Sequence, residues 1–211
     1  MSARSTTIWL GCAAIAVALS LAAPARPTHA QQQQPPPAQL PALAQQLPDV
    51  LILGDSLAVG TMPYLDALLA DVNLTWDVVN GRTTPGGLQA LRQALREIEP
   101  QAVVVSLGTN DGPDPDRFRR RLRLMMRDLA PDTCVIWPTI VRPPRKGQYN
   151  GLNRALRAEA SHDHRLIVLD WDGWVRRGQI HLRDGLHADA PGYRYRSQKI
   201  AEAVHAGCPA V

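Results

Sequence analysis

The chain predicts a three-layer α/β/α sandwich around a five-stranded parallel, flavodoxin-like sheet. Three observations carry that expectation: short apolar runs recur along the chain, amphipathic segments alternate with them, and residues of catalytic type stand just after the runs. Near-continuous apolar runs suit strands covered on both faces, as in a parallel sheet. Strand and helix in strict alternation imply a doubly wound sheet with right-handed crossovers.

The first strand is expected at Val50-Leu51-Ile52-Leu53 and the second at Trp76-Asp77-Val78-Val79. A third follows at Ala102-Val103-Val104-Val105, a fourth at Cys134-Val135-Ile136-Trp137 and a fifth at Leu166-Ile167-Val168-Leu169. Between them, Leu88, Leu91, Leu95 and Ile98 recur at helical spacing, as do Phe118, Leu122, Met125, Met126 and Leu129. Leu152 with Leu156, and Ile200 with Val204, mark two further helices. No internal repeat is visible.

Ahead of the domain, residues 1–30 read as a secretory signal. Arg4 gives a short basic start, an apolar run extends from Ile8 to Ala23, and Thr28-His29-Ala30 offers small residues for cleavage. Removal is expected, with an uncleaved N-terminal anchor as the alternative. Cys12 stands too early in the run to be a lipid-attachment site. Residues 31–48 are rich in Gln and Pro, cannot bury enough apolar surface to offset chain entropy, and read as a tether. The folded domain is therefore expected over residues 49–211, exported to the periplasm, the cell surface or the medium.

Of the 23 basic residues, Arg4 and Arg26 fall in the signal, which leaves 21 against 19 acidic ones, or +2. That balance argues for no nucleic-acid partner. Arg119-Arg120-Arg121 and Arg123 alternate with apolar residues at helical spacing and read as a solvated helix face. A monomer is expected, touching a membrane only through an uncleaved N-terminal segment. Cys134 and Cys208 form either a disulfide, as an oxidising compartment favours, or a buried thiol and a terminal one.

In open α/β sheets, sites form outside the C-terminal ends of the strands. Ser56, in Gly54-Asp55-Ser56-Leu57, follows the first strand, Gly81 the second, Asn110 the third, and Asp184-Gly185-Leu186-His187 the fifth. Four groups of interest thus share one sheet edge. Taken singly, each has a plain structural alternative: Asp55 or Ser56 as a helix cap, Gly81 as a turn glycine, Asn110 as a turn residue. Taken together they supply a nucleophile, a base three residues after an orienting acid, and neutral donors suited to an oxyanion. Among the other histidines, His162 and His164 look exposed, His181 can line the site, and His205 lies in the last helix. They make no convincing metal-ligand set, so no metal is expected. A phosphate-cradling loop at Gly54 to Gly60 fits neither Gly-x-Gly-x-x-Gly nor the Lys-containing pattern.

From residue 49 to residue 208 the chain resembles the SGNH/GDSL hydrolase superfamily. Gly54-Asp55-Ser56-Leu57, Gly81, Gly108-Thr109-Asn110-Asp111, and Asp184-Gly185-Leu186-His187 followed by Pro191-Gly192-Tyr193 match its four blocks in order. The resemblance implies Ser56 as nucleophile, His187 as general base and Asp184 as its orienting acid. It implies an oxyanion hole made by the Ser56 N–H, the Gly81 N–H and the Asn110 side chain, and no cofactor. The implied reaction is hydrolysis of a small-molecule or polysaccharide acyl ester. The chain is also similar to SGNH domains of membrane sugar O-acyltransferases, so transfer to a sugar hydroxyl is the alternative reaction. A non-catalytic carbohydrate-binding domain is a further alternative.

Around this site, the loop bearing Arg142, Arg145 and Lys146 should border the pocket, as a solvated loop or as a contact for an anionic substrate. Trp171 and Trp174 either stack on a sugar or lie buried under the catalytic turn. A single Phe and no long apolar insertion favour short acyl esters over long-chain lipids.

Overall fold

Alternation along the first apolar run divides it between two faces, since successive strand side chains point to opposite sides. In a computed structural model, which describes residues 47–207, β1 (Asp49–Gly54) sends Leu51 and Leu53 to one core and Val50 and Ile52 to the other. The same division repeats in β3 (Ala102–Ser106) and β4 (Cys134–Pro138), whose residues are buried throughout. With β2 (Asn73–Val78) and β5 (Leu166–Leu169) they form one parallel sheet in the order β2-β1-β3-β4-β5. The sheet is the five-stranded, doubly wound one that the alternating pattern predicts.

Helices α3 (Thr84–Ala94), α4 (Pro115–Asp128) and α5 (Asn150–Ala160) cover one face. Leu91, Leu122 and Leu156 there pack with Leu51, Val103 and Trp137, and the Trp137 and Phe118 rings meet edge to face with centroids 5.6 Å apart. Helices α1 (Ser56–Val59), α2 (Met62–Leu68) and α7 (Ala190–Ala206) cover the other, through Ala58, Leu65 and Ile200. A sixth helix, α6 (Trp171–Arg176), helps to form a third apolar cluster. There Leu57, Val141, Trp171, Ile180, Leu186 and Tyr193 pack together under the segment that carries Asp184 and His187.

Some boundaries depart from the sequence pattern for identifiable reasons. β2 starts at Asn73, ahead of the apolar run, because an edge strand pairs on one side only and tolerates polar residues on its open face. Val79 stands outside the strand and is exposed. Helix α3 stops at Ala94, so Leu95 and Ile98 pack against the core from a turn. Helices α1, α2 and α6 are too short to show a helical period.

Cys134 is buried and disulfide-bonded, which sets aside the free-thiol alternative for that residue. Cys208, the partner the sequence suggests, lies outside the described residues, as do the signal and nearly all of the tether. No helix among the described residues is long and apolar enough to cross a membrane.

Candidate active site

The sheet order reverses between β1 and β3, which is where a doubly wound sheet opens a crevice at its C-terminal edge. Ser56 leaves β1 on one side of that point and Asn110 follows β3 on the other. Gly54 ends β1 under tight constraint: a Cβ there would lie 2.4 Å from Ala58 Cβ and 3.2 Å from Ser106 Cβ. Asp55 is fully buried, its N–H donating to the Ser106 carbonyl at 3.1 Å and its Oδ1 accepting from the Leu57 N–H at 2.9 Å. Asp55 is therefore the cap of α1, and the Ser56 hydroxyl is left for other work. Because α1 is only four residues long, its dipole contributes little at Ser56.

The facing side chains meet across 131 residues of chain. Ser56 Oγ lies 3.0 Å from His187 Nε2, and His187 Nδ1 lies 2.8 Å from Asp184 Oδ2. The other Asp184 oxygen accepts from the N–H groups of Leu186 at 3.0 Å and His187 at 2.7 Å. Gly185 adopts φ of 76°, a left-handed conformation that lets the turn fold back so closely. A short antiparallel bridge between Leu182 and Ala188 closes the base of the turn, and the Arg183 N–H donates to the His187 carbonyl at 2.8 Å. The bond to His187 and the two turn N–H groups hold the Asp184 carboxyl well below the usual carboxylate range. His187 is thereby kept with a proton on Nδ1 and an acceptor at Nε2 facing the serine.

Gly81 and Asn110 stand on the loops after β2 and β3. Asn110 Nδ2 donates to Asp55 Oδ2 at 3.1 Å and to the Arg82 carbonyl at 3.3 Å, which ties the loops after β1, β2 and β3 together. The Thr84 N–H donates to Asp111 Oδ1 at 2.8 Å and reinforces that tie. Gly81 is exposed with φ of 78° and open space where a Cβ would stand. Among the described residues the N–H groups of Ser56 and Gly81 are engaged in no hydrogen bond.

Two charged groups lie beneath the site. Burial pushes the Asp55 carboxyl up to about 6, against the pull of the Leu57 N–H and of the Arg196, Lys146 and His187 charges. Arg196 is buried in α7 with its guanidinium 4.5 Å from the centre of the Trp171 ring, and it donates to Ser106 Oγ at 2.9 Å. Burial lowers its pKa to about 10. The sequence carried one signal for this arrangement: an arginine between Tyr193 and Ile200 on the inward face of an otherwise apolar-faced helix.

The loop after β4 borders the site, but its three cations have separate fates. Arg142 is buried, and its donors reach the carbonyls of Gly108, Asp111, Gly147 and Gln148, so both expectations for it as a solvated or substrate-binding cation are corrected. Those carbonyls come from the loops after β3 and after β4, and the guanidinium fork suits such a bridge. Arg145 is exposed. Lys146 Nζ donates to Asn110 Oδ1 at 2.9 Å, a contact that sequence spacing could not reveal. Pro143 meets Gly185, where an added Cβ would lie 3.3 Å from the proline Cβ. Trp171 is fully buried, which removes it as a sugar platform. Trp174 is half-buried and meets the Tyr195 ring edge to face at 5.4 Å. His181 is exposed next to the turn and His205 contacts Asp71 at 3.1 Å, away from this edge.

A serine hydroxyl bonded to a histidine, itself bonded to an ionised aspartate at the C-terminal edge of an α/β sheet, is an arrangement suited to nucleophilic acyl transfer. The chain belongs to the GDSL-like lipase/acylhydrolase family, whose profile matches residues 52–195. It is 30% identical to esterase TesA of Pseudomonas aeruginosa over 159 residues, 65% of this chain and 78% of that protein. It is 39% identical to an arylesterase of Vibrio mimicus over 85 residues, which span 35% of this chain and only 42% of that relative. The fold also matches the C-terminal catalytic domain of peptidoglycan O-acetyltransferase A from Streptococcus pneumoniae. That match has a TM-score of 0.63 at 19% identity, covering 76% of this chain and 94% of that domain. By family the protein is an ester-hydrolysing enzyme.

Proposed function

We propose that the protein is an exported serine esterase that hydrolyses short-chain acyl esters through an acyl-enzyme on Ser56. The single observation that supports this most is the unbroken relay from Ser56 Oγ through His187 to Asp184, at 3.0 and 2.8 Å. His187 Nε2 takes the Ser56 proton as Oγ attacks the ester carbonyl. The tetrahedral oxyanion is held by the Ser56 and Gly81 N–H groups and by Asn110 Nδ2, which shares with it the proton that otherwise meets the Arg82 carbonyl at 3.3 Å. His187 then gives its proton to the departing alcohol as the C–O bond breaks. Water repeats the sequence on the acyl-enzyme and regenerates the serine. Asp184 keeps the imidazole in the required tautomer and stabilises its protonated form. Export is supported by the basic, apolar and small-residue order of residues 1–30.

O-acetyl groups on a cell-envelope polysaccharide are the natural substrate to try first, given the fold shared with a peptidoglycan O-acetyltransferase domain. The same residues serve transfer to a sugar hydroxyl, because only the acceptor differs. The test is fluorophosphonate labelling located by mass spectrometry, beside a p-nitrophenyl ester series of increasing chain length. Label on Ser56 and turnover that declines with chain length are expected. Wild-type turnover by purified Ser56→Ala would overturn the mechanism, and transesterified sugar in excess of free acid would favour the transferase reading.

A further inference from the structure

We infer that Lys146 is a positioning residue for this reaction, locking the Asn110 carboxamide with its NH2 end toward the loops after β1 and β2 that carry Ser56 and Gly81. The inference rests on the proposed roles of Ser56 and Asn110 and goes beyond them. A carboxamide is planar and nearly symmetric in shape, so packing alone does not decide which end carries the donor. Here the two ends face charges of opposite sign. Asp55 Oδ2 lies 3.1 Å from Asn110 Nδ2, and Lys146 Nζ lies 2.9 Å from Asn110 Oδ1. Turning the amide over would set its oxygen against the Asp55 carboxylate and its NH2 against the Lys146 ammonium, with both contacts repulsive. One orientation survives. The Nδ2 protons are held by Asp55 Oδ2 at 3.1 Å and more loosely by the Arg82 carbonyl at 3.3 Å, and the looser of the two is the proton an oxyanion would share.

The clamp also changes the strength of that donor. A cation drawing on the carbonyl oxygen polarises the amide and makes its N–H groups better donors, and the effect is larger where water is partly excluded. Asn110 is half-buried, and Asp55 on its far side is fully buried. Lys146 comes from the 3₁₀ turn Pro144–Lys146, whose position is set by Arg142 and by the contact of Pro143 with Gly185. The loop that carries Lys146 thus touches both the histidine turn and the oxyanion donor. No other cation makes a hydrogen bond to Asn110 among the described residues.

A double-mutant cycle on the full chain tests the inference, read as kcat and KM on a short p-nitrophenyl ester. Losing an oxyanion donor outright costs about 10²–10³ in kcat, so Asn110→Ala should fall in that range and Lys146→Met should lose roughly tenfold. The Lys146→Met loss should be in kcat, with KM within about twofold, and Lys146→Arg should recover most of it. In an Asn110→Ala background, adding Lys146→Met should cost nothing further, because the group it positions is gone. A Lys146→Met variant with unchanged kcat, a loss confined to KM, or an equal loss in both backgrounds would each overturn the inference. A general folding defect would register as the equal loss, together with a lowered Tm. If Ser56 still takes the fluorophosphonate label, such a result removes only the Lys146 role. If Ser56→Ala retains turnover, the proposed mechanism fails and takes this role with it.

Discussion

Ser56 and His187 are hydrogen-bonded to one another, yet they are held in place by opposite means. Ser56 stands at the end of a central strand, on a backbone wedged between Ala58 and Ser106 and capped by a fully buried aspartate. His187 stands on a turn whose aspartate side chain is 47% exposed, and it is oriented by bonds made within four consecutive residues. Ser56 is positioned by the whole fold, His187 by a local motif resting on a small apolar cluster. Damage to the first should therefore appear as lost stability, and damage to the second as lost catalysis in a protein that still folds.

The sharpest break in that comparison comes from Asp184→Asn. The asparagine retains an oxygen for the turn N–H groups but offers the wrong partner to His187 Nδ1, and kcat should fall about 10⁴-fold. The Tm should barely move. A comparable fall in Tm would mean that the turn is part of the folding core after all.

Gly54→Ala probes the other side. Its Cβ has no room beside Ala58, whose own Cβ is fixed to a helix, and overpacking of this kind costs about 3 kcal/mol. For a domain of this size that corresponds to a Tm roughly 6–12 °C lower, readable by calorimetry. Activity should be lost in parallel with folding. A Gly54→Ala protein of normal Tm and low kcat would erase the contrast.

Asp55 links the two regions through pH. Its folded pKa, about 6, is raised above the ordinary value of 3.8, so the native state binds more protons between those limits. The stability contributed by Asp55 is accordingly intact below about pH 4 and declines as pH rises through about 6, by up to about 3 kcal/mol. The pull of Arg196 on the Asp55 charge is already contained in that raised pKa, and only hydrogen bonding that asparagine does not reproduce will offset the Asp55→Asn variant by a constant. The quantity to measure is therefore the slope: relative to wild type, the variant should gain stability as pH is raised from about 4 to about 6. A flat difference would show that burial does not burden this carboxyl.

The smallest effect is expected at Gly185. Alanine there must accept a left-handed backbone, at about 1–2 kcal/mol, and press on Pro143. Much of this strain can relax in the exposed turn, so kcat should drop roughly tenfold through misplaced His187 while Tm changes little. An unchanged kcat would show that the turn tolerates strain without moving the imidazole.

The sheet was legible because its strands are buried on both faces, and continuous apolar runs of that kind have few alternatives. β2 was less legible at its start, where the open edge permits Asn73 and Thr75. The positions of Ser56, Gly81, Asn110, Asp184 and His187 followed from the strand ends and from the order of four sequence blocks. What spacing did not reveal was the set of partners that come from elsewhere in the chain. Arg142 reads as a loop cation until one sees that it is buried among carbonyls, and the place of Arg196 on α7 does not reveal its bond to Ser106. Long-range bonds between loops leave no periodicity behind, which is why Lys146 and Asn110 could not be paired from sequence.

The single guanidinium of Arg142 joins the carbonyls of Gly108 and Asp111 to those of Gly147 and Gln148. Attempts to broaden substrate range by rebuilding the loop 142–147 will therefore not be confined to that loop. Any shift in that loop passes through Arg142 into the segment that holds Asn110, so selectivity and turnover become a single design variable. Diversifying positions that leave Arg142 and its four acceptors untouched, Arg145 first among them, is the way to separate the two.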